Sequence, residues 1–301
     1  MLVEVIGFGL AGACVALRLQ KCGVAVRVVD DGKPGSTVVA AGLVNPVAGR
    51  NFEPSKGVRE AWDEAQAFYD ELDETLWHPL PIKRLWLGEK DRVKFERKRE
   101  VVASWIDLID EEGVTWKEGG WLETRRFLEL ARVRFLENGG TFSAEQSEPD
   151  ARIWCTGAAG LIREEFRELP QRCAKGEILT VRVPGWSEQR ILTGGGWLIP
   201  LGDDLYRVGA TYDWDGLETG PSESGRERVE KTLRGFTERK FEVVDHVAGV
   251  RPIIHRSEPV VRFQEGKGWM LNGLGSKGVI YAPSSARDLV EKLISQAEGA
   301  G

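Results

Sequence analysis

Short apolar runs alternate with amphipathic stretches over the first half of the chain, and the rhythm then changes. Residues 3–6 form a β-branched run that reads as a buried strand; a helical pattern follows through Leu19, then a turn at Gly23 and a second apolar strand over 24–29. Residues 57–76 carry Trp62, Ala65, Phe68, Tyr69 and Leu72 on one helical stripe. The pattern then predicts a strand over 82–87, a charged helix over 89–112, short extended pieces at 114–117 and 120–122, and a helix over 124–137. Thr124 would cap that last helix, and Asn138-Gly139-Gly140 would end it. A third apolar strand, 151–155, runs into the small-residue turn T-G-A-A-G.

From Gly176 to Tyr212 the period shortens to that of strands, punctuated by Gly194-Gly195-Gly196 and Gly202-Asp203-Asp204, which reads as an antiparallel sheet. A helix over 222–240, a strand over 241–251, short strands at 260–263 and 269–272 and a last helix over 284–296 complete the pattern. Gly-rich loops lie at both ends of the chain and the mixed sheet in the middle. One nucleotide-binding domain interrupted by a second domain is therefore expected.

The first unit holds the most specific chemistry. Gly7, Gly9 and Gly12 stand in the order G-x-G-x-x-G between strand and helix, and Asp30 closes the second strand. Gly7 lets the chain turn sharply, Gly9 lets a pyrophosphate approach the backbone, and Gly12 lets the helix pack closely. The free amides of the helix start face the phosphate charge. A carboxylate at the end of the second strand can accept hydrogen bonds from ribose hydroxyls. This unit predicts a dinucleotide site but does not by itself separate FAD from NAD. The small residues at 40–42, within the apolar run 38–47, predict a buried loop that faces a ligand.

Composition narrows the function classes. Lys plus Arg total 41 and Asp plus Glu 47 in 301 residues, a net charge of -6 with no overall footprint for nucleic acid. Cys14, Cys22, Cys155 and Cys173 show no metal or redox spacing; buried free thiols in a reducing cytoplasm are expected. His78, His246 and His255 form no metal-ligand pattern, and neither a signal peptide nor a membrane span is visible.

Five stretches together resemble the FAD-dependent D-amino-acid oxidase and glycine oxidase superfamily: V-I-G-F-G-L-A-G with Asp30, A-A-G-L-V-N-P, A-R-I-W-C-T-G, A-G-V-R-P and G-L-G-S-K-G-V-I-Y-A-P. The last is similar to the flavin domain of a tRNA-modifying enzyme that oxidises carboxymethylaminomethyl-uridine. The resemblance implies an α/β flavoprotein fold of the glutathione-reductase type, with a Rossmann-like FAD-binding domain (1–55, 119–172 and 245–301) and an α+β substrate domain (56–118 and 173–244). It implies noncovalent FAD and oxidation of the C–N bond of a small amino or imino acid, or another amine, by hydride transfer to flavin N5. Oxygen or another acceptor would take the electrons.

In this scheme Gly7, Gly9 and Gly12 hold the pyrophosphate, Asp30 the ribose, and Thr156 and Gly157 the ADP half. Ala41, Gly42 and Val44 pass beside the isoalloxazine. Gly275, Ser276, Lys277, Gly278 and Val279 lie at its pyrimidine edge. Arg251, at a strand end before Pro252, would bind a substrate carboxylate through its rigid fork, and Lys277 would favour reduced flavin. One departure stands out: Lys277 replaces an Arg of the similar domain. After Arg251-Pro252, where the family commonly has an acidic residue before the following Pro, this chain reads I-I-H-R-S-E-P. A NAD(P)-dependent dehydrogenase and a flavin-binding protein without turnover are the alternatives. The acidic balance and the lack of a basic arm argue against RNA as a partner.

Overall fold

The computed structural model describes residues 1–143, 148–162, 166, 168–217, 220–254 and 258–299. In chain order its elements are β1 (Leu2–Ile6), α1 (Leu10–Lys21), β2 (Ala25–Val29), α2 (Ser36–Val39), β3 (Leu43–Val44), α3 (Val58–Leu72), β4 (Trp77–Pro79), β5 (Ile82–Leu85), α4 (Glu89–Lys98), β6 (Ile106–Ile109), β7 (Gly113–Trp116) and β8 (Gly120–Leu122). They continue with α5 (Thr124–Glu137), β9 (Thr141–Phe142), β10 (Ala151–Trp154), α6 (Gly157–Ile162), β11 (Ala174–Arg182), β12 (Ile191–Thr193), β13 (Trp197–Gly202), β14 (Leu205–Gly209), α7 (Glu223–Arg234), β15 (Glu242–Arg251), β16 (Val260–Gln264), β17 (Gly268–Asn272) and α8 (Gly278–Gly299).

Two sheets carry the fold, which is α/β as expected. The first has the order β16-β17-β10-β1-β2-β9, with β9, β2, β1, β10 and β17 mutually parallel and β16 an antiparallel edge. Val3, Val5, Val26, Val28 and Ile153 are buried with the apolar faces of α1 and α8. Each fully buried aliphatic side chain contributes about 1.5–3 kcal/mol. The second sheet, β15-β11-β14-β13-β12-β5-β7-β6, is antiparallel except at β12–β5. One of its faces packs on α7 through Leu179, Val181, Val208, Val229 and Leu233. A small third sheet, β3-β8-β4, ties the loop after α2 to the rest.

Several local expectations are corrected. The helix expected over 89–112 ends at Lys98, because Val102 and Trp105 turn inward and β6 pairs with β7. Thr124 does not cap α5; its hydroxyl donates to the Ala40 carbonyl at 3.2 Å. The final helix begins at Gly278, before Pro283 rather than after it. β15 is bonded to β11 along its length and runs through residue 245, where the last segment of the expected FAD-binding domain begins. Of the four free cysteines Cys22 is exposed, while Cys14, Cys155 and Cys173 are buried. Burial pushes the Cys155 thiol up to about 12. His255 lies outside the described residues.

Candidate active site

The carboxyl ends of β1, β2 and β10 open into one cavity of about 1800 Å³, roofed by the free face of the second sheet. A drug-sized ligand occupies a site of roughly 300–1000 Å³, so this cavity has room for a dinucleotide and a second molecule. It meets the first sheet beside the point where strand order reverses about β1, the usual ligand crevice of such sheets.

The three motif glycines have separate roles. Gly7, at φ 91°, turns away from β1, and a Cβ there would lie 2.7 Å from the Cys155 carbonyl. Gly12 packs on the Gly7 carbonyl and does not line the cavity. Gly9 does line it, and a Cβ there would meet nothing nearer than Thr37 Oγ1 at 3.5 Å. Gly9 is thus the one glycine of the three whose open side faces the ligand space. The amides of Gly9, Ala11 and Gly12 have no protein acceptor among the described residues. Leu10 donates its amide to Thr37 Oγ1 at 3.1 Å, which seats α2 over the start of α1.

Asp30 is exposed at the cavity wall, and its carboxylate braces the loop: Oδ2 accepts from the Phe8 amide at 2.6 Å and Oδ1 from the Gly32 amide at 2.9 Å. Each oxygen keeps further lone-pair capacity for a ribose hydroxyl. Thr156 and Gly157 follow β10. Thr156 Oγ1 is buried without a partner among the described residues, and a Cβ on Gly157 would meet open space. Asn272 at the end of β17 holds this turn, donating to the Gly157 carbonyl at 2.9 Å.

Ala41, Gly42 and Val44 line the cavity. Gly42, at φ 72°, owes its identity to the neighbouring chain, because a Cβ would strike the Leu122 carbonyl. Residues 275–279 line it opposite. The Gly275 and Lys277 amides are spent on the Pro252 and Leu274 carbonyls, at 2.9 and 3.1 Å. Those of Ser276, Gly278 and Val279 have no protein acceptor among the described residues, so the start of α8 presents donors and positive dipole. These open amides, the orphaned Thr156 hydroxyl and the bare α-carbons of Gly9 and Gly157 fit FAD laid along the cavity. Burial lowers the Lys277 ammonium below the ordinary lysine range, against the opposing pull of Glu258.

On the roof, register places Arg251, Gly176, Ile178, Gly209, Trp197, Thr193 and Arg84 on one face, running from β15 to β5. The Arg251 guanidinium lies on Gly176, donates to the Thr211 carbonyl at 3.3 Å and sits 5.1 Å from the Tyr212 ring centroid. No carboxylate of the described residues lies within 4.0 Å of it: the nearby Asp213 is committed to Arg228 by two bonds of 2.7 Å. Burial lowers the Arg251 guanidinium, with Tyr212 and Asp213 opposing.

Sequence reading missed Thr37, Tyr212, Asn272, Thr193 and Arg84 as cavity residues. Thr37 was open to recognition as a hydroxyl just after the ribose acid; the others depend on tertiary pairing. Among the described residues no group of three or more His, Cys, Asp or Glu could hold a metal ion, and no helix is long and apolar enough to cross a membrane.

The family model described as DAO, FAD dependent oxidoreductase, matches residues 3–292. Glycine oxidase of Pseudomonas aeruginosa is 22% identical, covering 96% of this chain and 93% of that protein. The tRNA 5-methylaminomethyl-2-thiouridine biosynthesis bifunctional protein MnmC of Idiomarina loihiensis is 22% identical over 98% of this chain but only 56% of its own length, so the chain spans about half of that relative. Among solved structures, glycine oxidase from Geobacillus kaustophilus superposes with a TM-score of 0.81 at 17% identity, covering 96% of this chain and 94% of that one.

Proposed function

The chain belongs to the DAO family of FAD-dependent oxidoreductases, and from that premise we propose that it oxidises the C–N bond of a small amino or imino acid bound through its carboxylate. Arg251 carries this reading. It is a cavity-lining cation with no carboxylate of the described protein on it, and its fork is fixed by Gly176 beneath and Tyr212 beside it. Removing a guanidinium from water without a counter-charge is costly. A site that leaves one with a carbonyl and a ring but no carboxylate of the described residues suits an anion from outside, and a carboxylate matches the fork by two parallel bonds.

Bound noncovalently, FAD supplies the acceptor for a hydride from the carbon beside the amine. The chain's own residues do the rest. Asp30, the amides at Gly9 and Ala11, and the 156–157 turn would anchor the ADP half. The Ser276, Gly278 and Val279 amides would face the pyrimidine edge, where preorganised donors stabilise developing negative charge. Arg251 would fix the substrate carboxylate, and Ile178, Ala210 and Trp197 would keep water from the reacting carbon.

A second reading places the oxidised C–N bond on a modified nucleoside. Likeness to the tRNA-biosynthesis proteins favours it, while the net charge of -6 disfavours it. Anaerobic bleaching of the flavin separates the two. Glycine, sarcosine, proline and D-amino acids should bleach the yellow protein under the first reading, and an aminomethylated uridine nucleoside under the second. A flavin that stays oxidised with every amine would defeat both.

A further inference from the structure

The cavity does not end at Arg251. It continues beneath the roof to β12, β5 and α4, where polar side chains are built in that the flavin reading does not use. Thr193 and Arg84 stand directly opposite each other in the β12–β5 register and share the cavity face. Thr193 is 9% exposed, and its Oγ1 has no hydrogen-bond partner among the described residues. Arg84 is 8% exposed; it lies over the Phe52 ring at 3.6 Å and donates to the Gly49 carbonyl at 2.6 Å and to Asp91 Oδ1 at 3.3 Å. The other Asp91 oxygen, Oδ2, is buried and likewise without a partner.

Two orphaned oxygens at the end of one cavity are unusual, since buried polar groups are normally satisfied. Around them the rim is cationic. Arg50, Lys90 and Lys94 are exposed, line the cavity and form no ion pair with the described residues. Lys90 and Lys94 stand four residues apart, on one face of α4.

We propose that this end is a second subsite that takes the distal part of the substrate, a hydroxylated phosphate ester. A hydroxyl would donate to Asp91 Oδ2 and bond Thr193 Oγ1, while the phosphate meets Arg50, Lys90 and Lys94. Arg84 holds Asp91 in place and is a positioning residue. The proposal rests on the reading of the cavity as an active site and extends its substrate class. Five strand spacings separate Arg251 from Arg84, roughly 24 Å at the usual 4.7–4.9 Å, so a free amino acid does not reach both ends. Phosphate could come from a free sugar phosphate or from the end of a polynucleotide, and both sources have the chemistry the subsite recognises.

The test is calorimetric binding to the FAD-loaded protein, which needs no turnover. The probes are ribose 5-phosphate, a nucleoside 5′-monophosphate and a short oligoribonucleotide. The parent should bind at least one of them, more weakly as salt rises. Binding of the first two assigns the small-molecule source; binding of the third alone assigns the polymer. Thr193→Val removes a hydroxyl that the fold leaves unpaired, so it should fold normally and weaken the bound probe about fivefold. Lys90→Ala with Lys94→Ala should weaken it tenfold or more. Lys231→Ala with Lys292→Ala, the same charge change away from the cavity, should bind like the parent. Failure of all three probes on the parent, or equal affinity in the Thr193 and Lys90/Lys94 variants, overturns the proposal. Binding without bleaching by any amine would leave the subsite standing and remove the oxidase reading; bleaching without binding does the reverse.

Discussion

Tyr69 donates its hydroxyl to the Val279 carbonyl at 2.8 Å, and Val279 is the residue that Pro283, four positions on, leaves without a helical donor. Proline has no N–H, so the first turn of α8 would otherwise carry an unpaired buried carbonyl. The bond also ties α3 to the helix start that faces the flavin space.

Tyr69→Phe should therefore cost about 1–3 kcal/mol, the price of an orphaned buried acceptor. Thermal melting of the flavin-loaded protein would show it as a fall of roughly 2–4 °C per kcal/mol. An unchanged melting temperature would mean that the carbonyl finds another donor.

Glu4 should contribute to the acid limb of stability. It is 1% exposed on β1, paired in register with Arg27 and Arg152 on the strands either side, and accepts from Arg152 Nε at 2.7 Å and Arg27 Nε at 3.1 Å. Burial alone would raise its carboxyl; the hydrogen bonds and charges of Arg152 and Arg27 outweigh it, and the net direction is down from 4.5. A lowered folded pKa gives stability that is present above pH 4.5 and is lost as pH falls through the folded value. Glu4→Gln should cost about 3–5 kcal/mol near neutrality and flatten the acid limb of a denaturant–pH series. A limb as steep as the parent's would assign acid sensitivity elsewhere.

Asp30 has a double task that the sequence pattern shows only in half. Asp30→Ala removes the Phe8 brace together with any ribose contact, whereas Asp30→Asn keeps an acceptor for Phe8 but loses the charge. Charge-assisted bonds are worth roughly 1.5–3 kcal/mol each, so FAD affinity should fall in the order parent, Asn, Ala. Equal dissociation constants for all three would remove Asp30 from the cofactor site.

Lys277 should raise the flavin midpoint potential, because its half-buried ammonium stands among residues 275–279 on the cavity wall. Its lowered pKa means that the charge, and the benefit, are lost with rising pH earlier than for a free lysine. Lys277→Met should lower the potential by roughly 30 mV for each tenfold loss of preference for the reduced state. The same potential in both proteins would leave Lys277 a solvent-facing residue.

The first unit was legible because its meaning is local. Strand, glycines, helix and Asp30 occupy one stretch; Gly7 and Gly12 each have a steric reason within a few residues or on the adjacent strand, and Gly9 leaves its side open to the ligand space. Helix starts and ends that depend on distant partners were not. α8 begins before Pro283, and Tyr69, more than two hundred residues away in sequence, serves the freed carbonyl. β6 is a strand inside a charged stretch because β7 offers it an edge. Thr193 and Arg84 meet only through a parallel pairing between residues about a hundred apart, so no spacing in the chain marks them as one site.

Arg251 and Gly176 carry the last prediction. The guanidinium rests where a Cβ on Gly176 would stand, so the absence of that side chain sets where the fork points. Gly176→Ala would push against the far end of a flexible side chain rather than against backbone. The fold should survive with little loss of stability while Arg251 is displaced from the cavity wall. KM for a carboxylate substrate should then rise, by roughly tenfold for each charge-assisted bond lost, with kcat falling less, because the lost contact is mainly ground-state binding. Arg251→Ala should raise KM at least as far and leave the flavin bound with an unchanged spectrum. Arg251→Lys should recover little, since an ammonium offers no planar fork. The Gly176 variant separates carboxylate binding from a structural part for Arg251. If Arg251 serves only to hold the Thr211 carbonyl, Gly176→Ala should lower the melting temperature and leave KM alone, and that pattern would remove Arg251 from the substrate site.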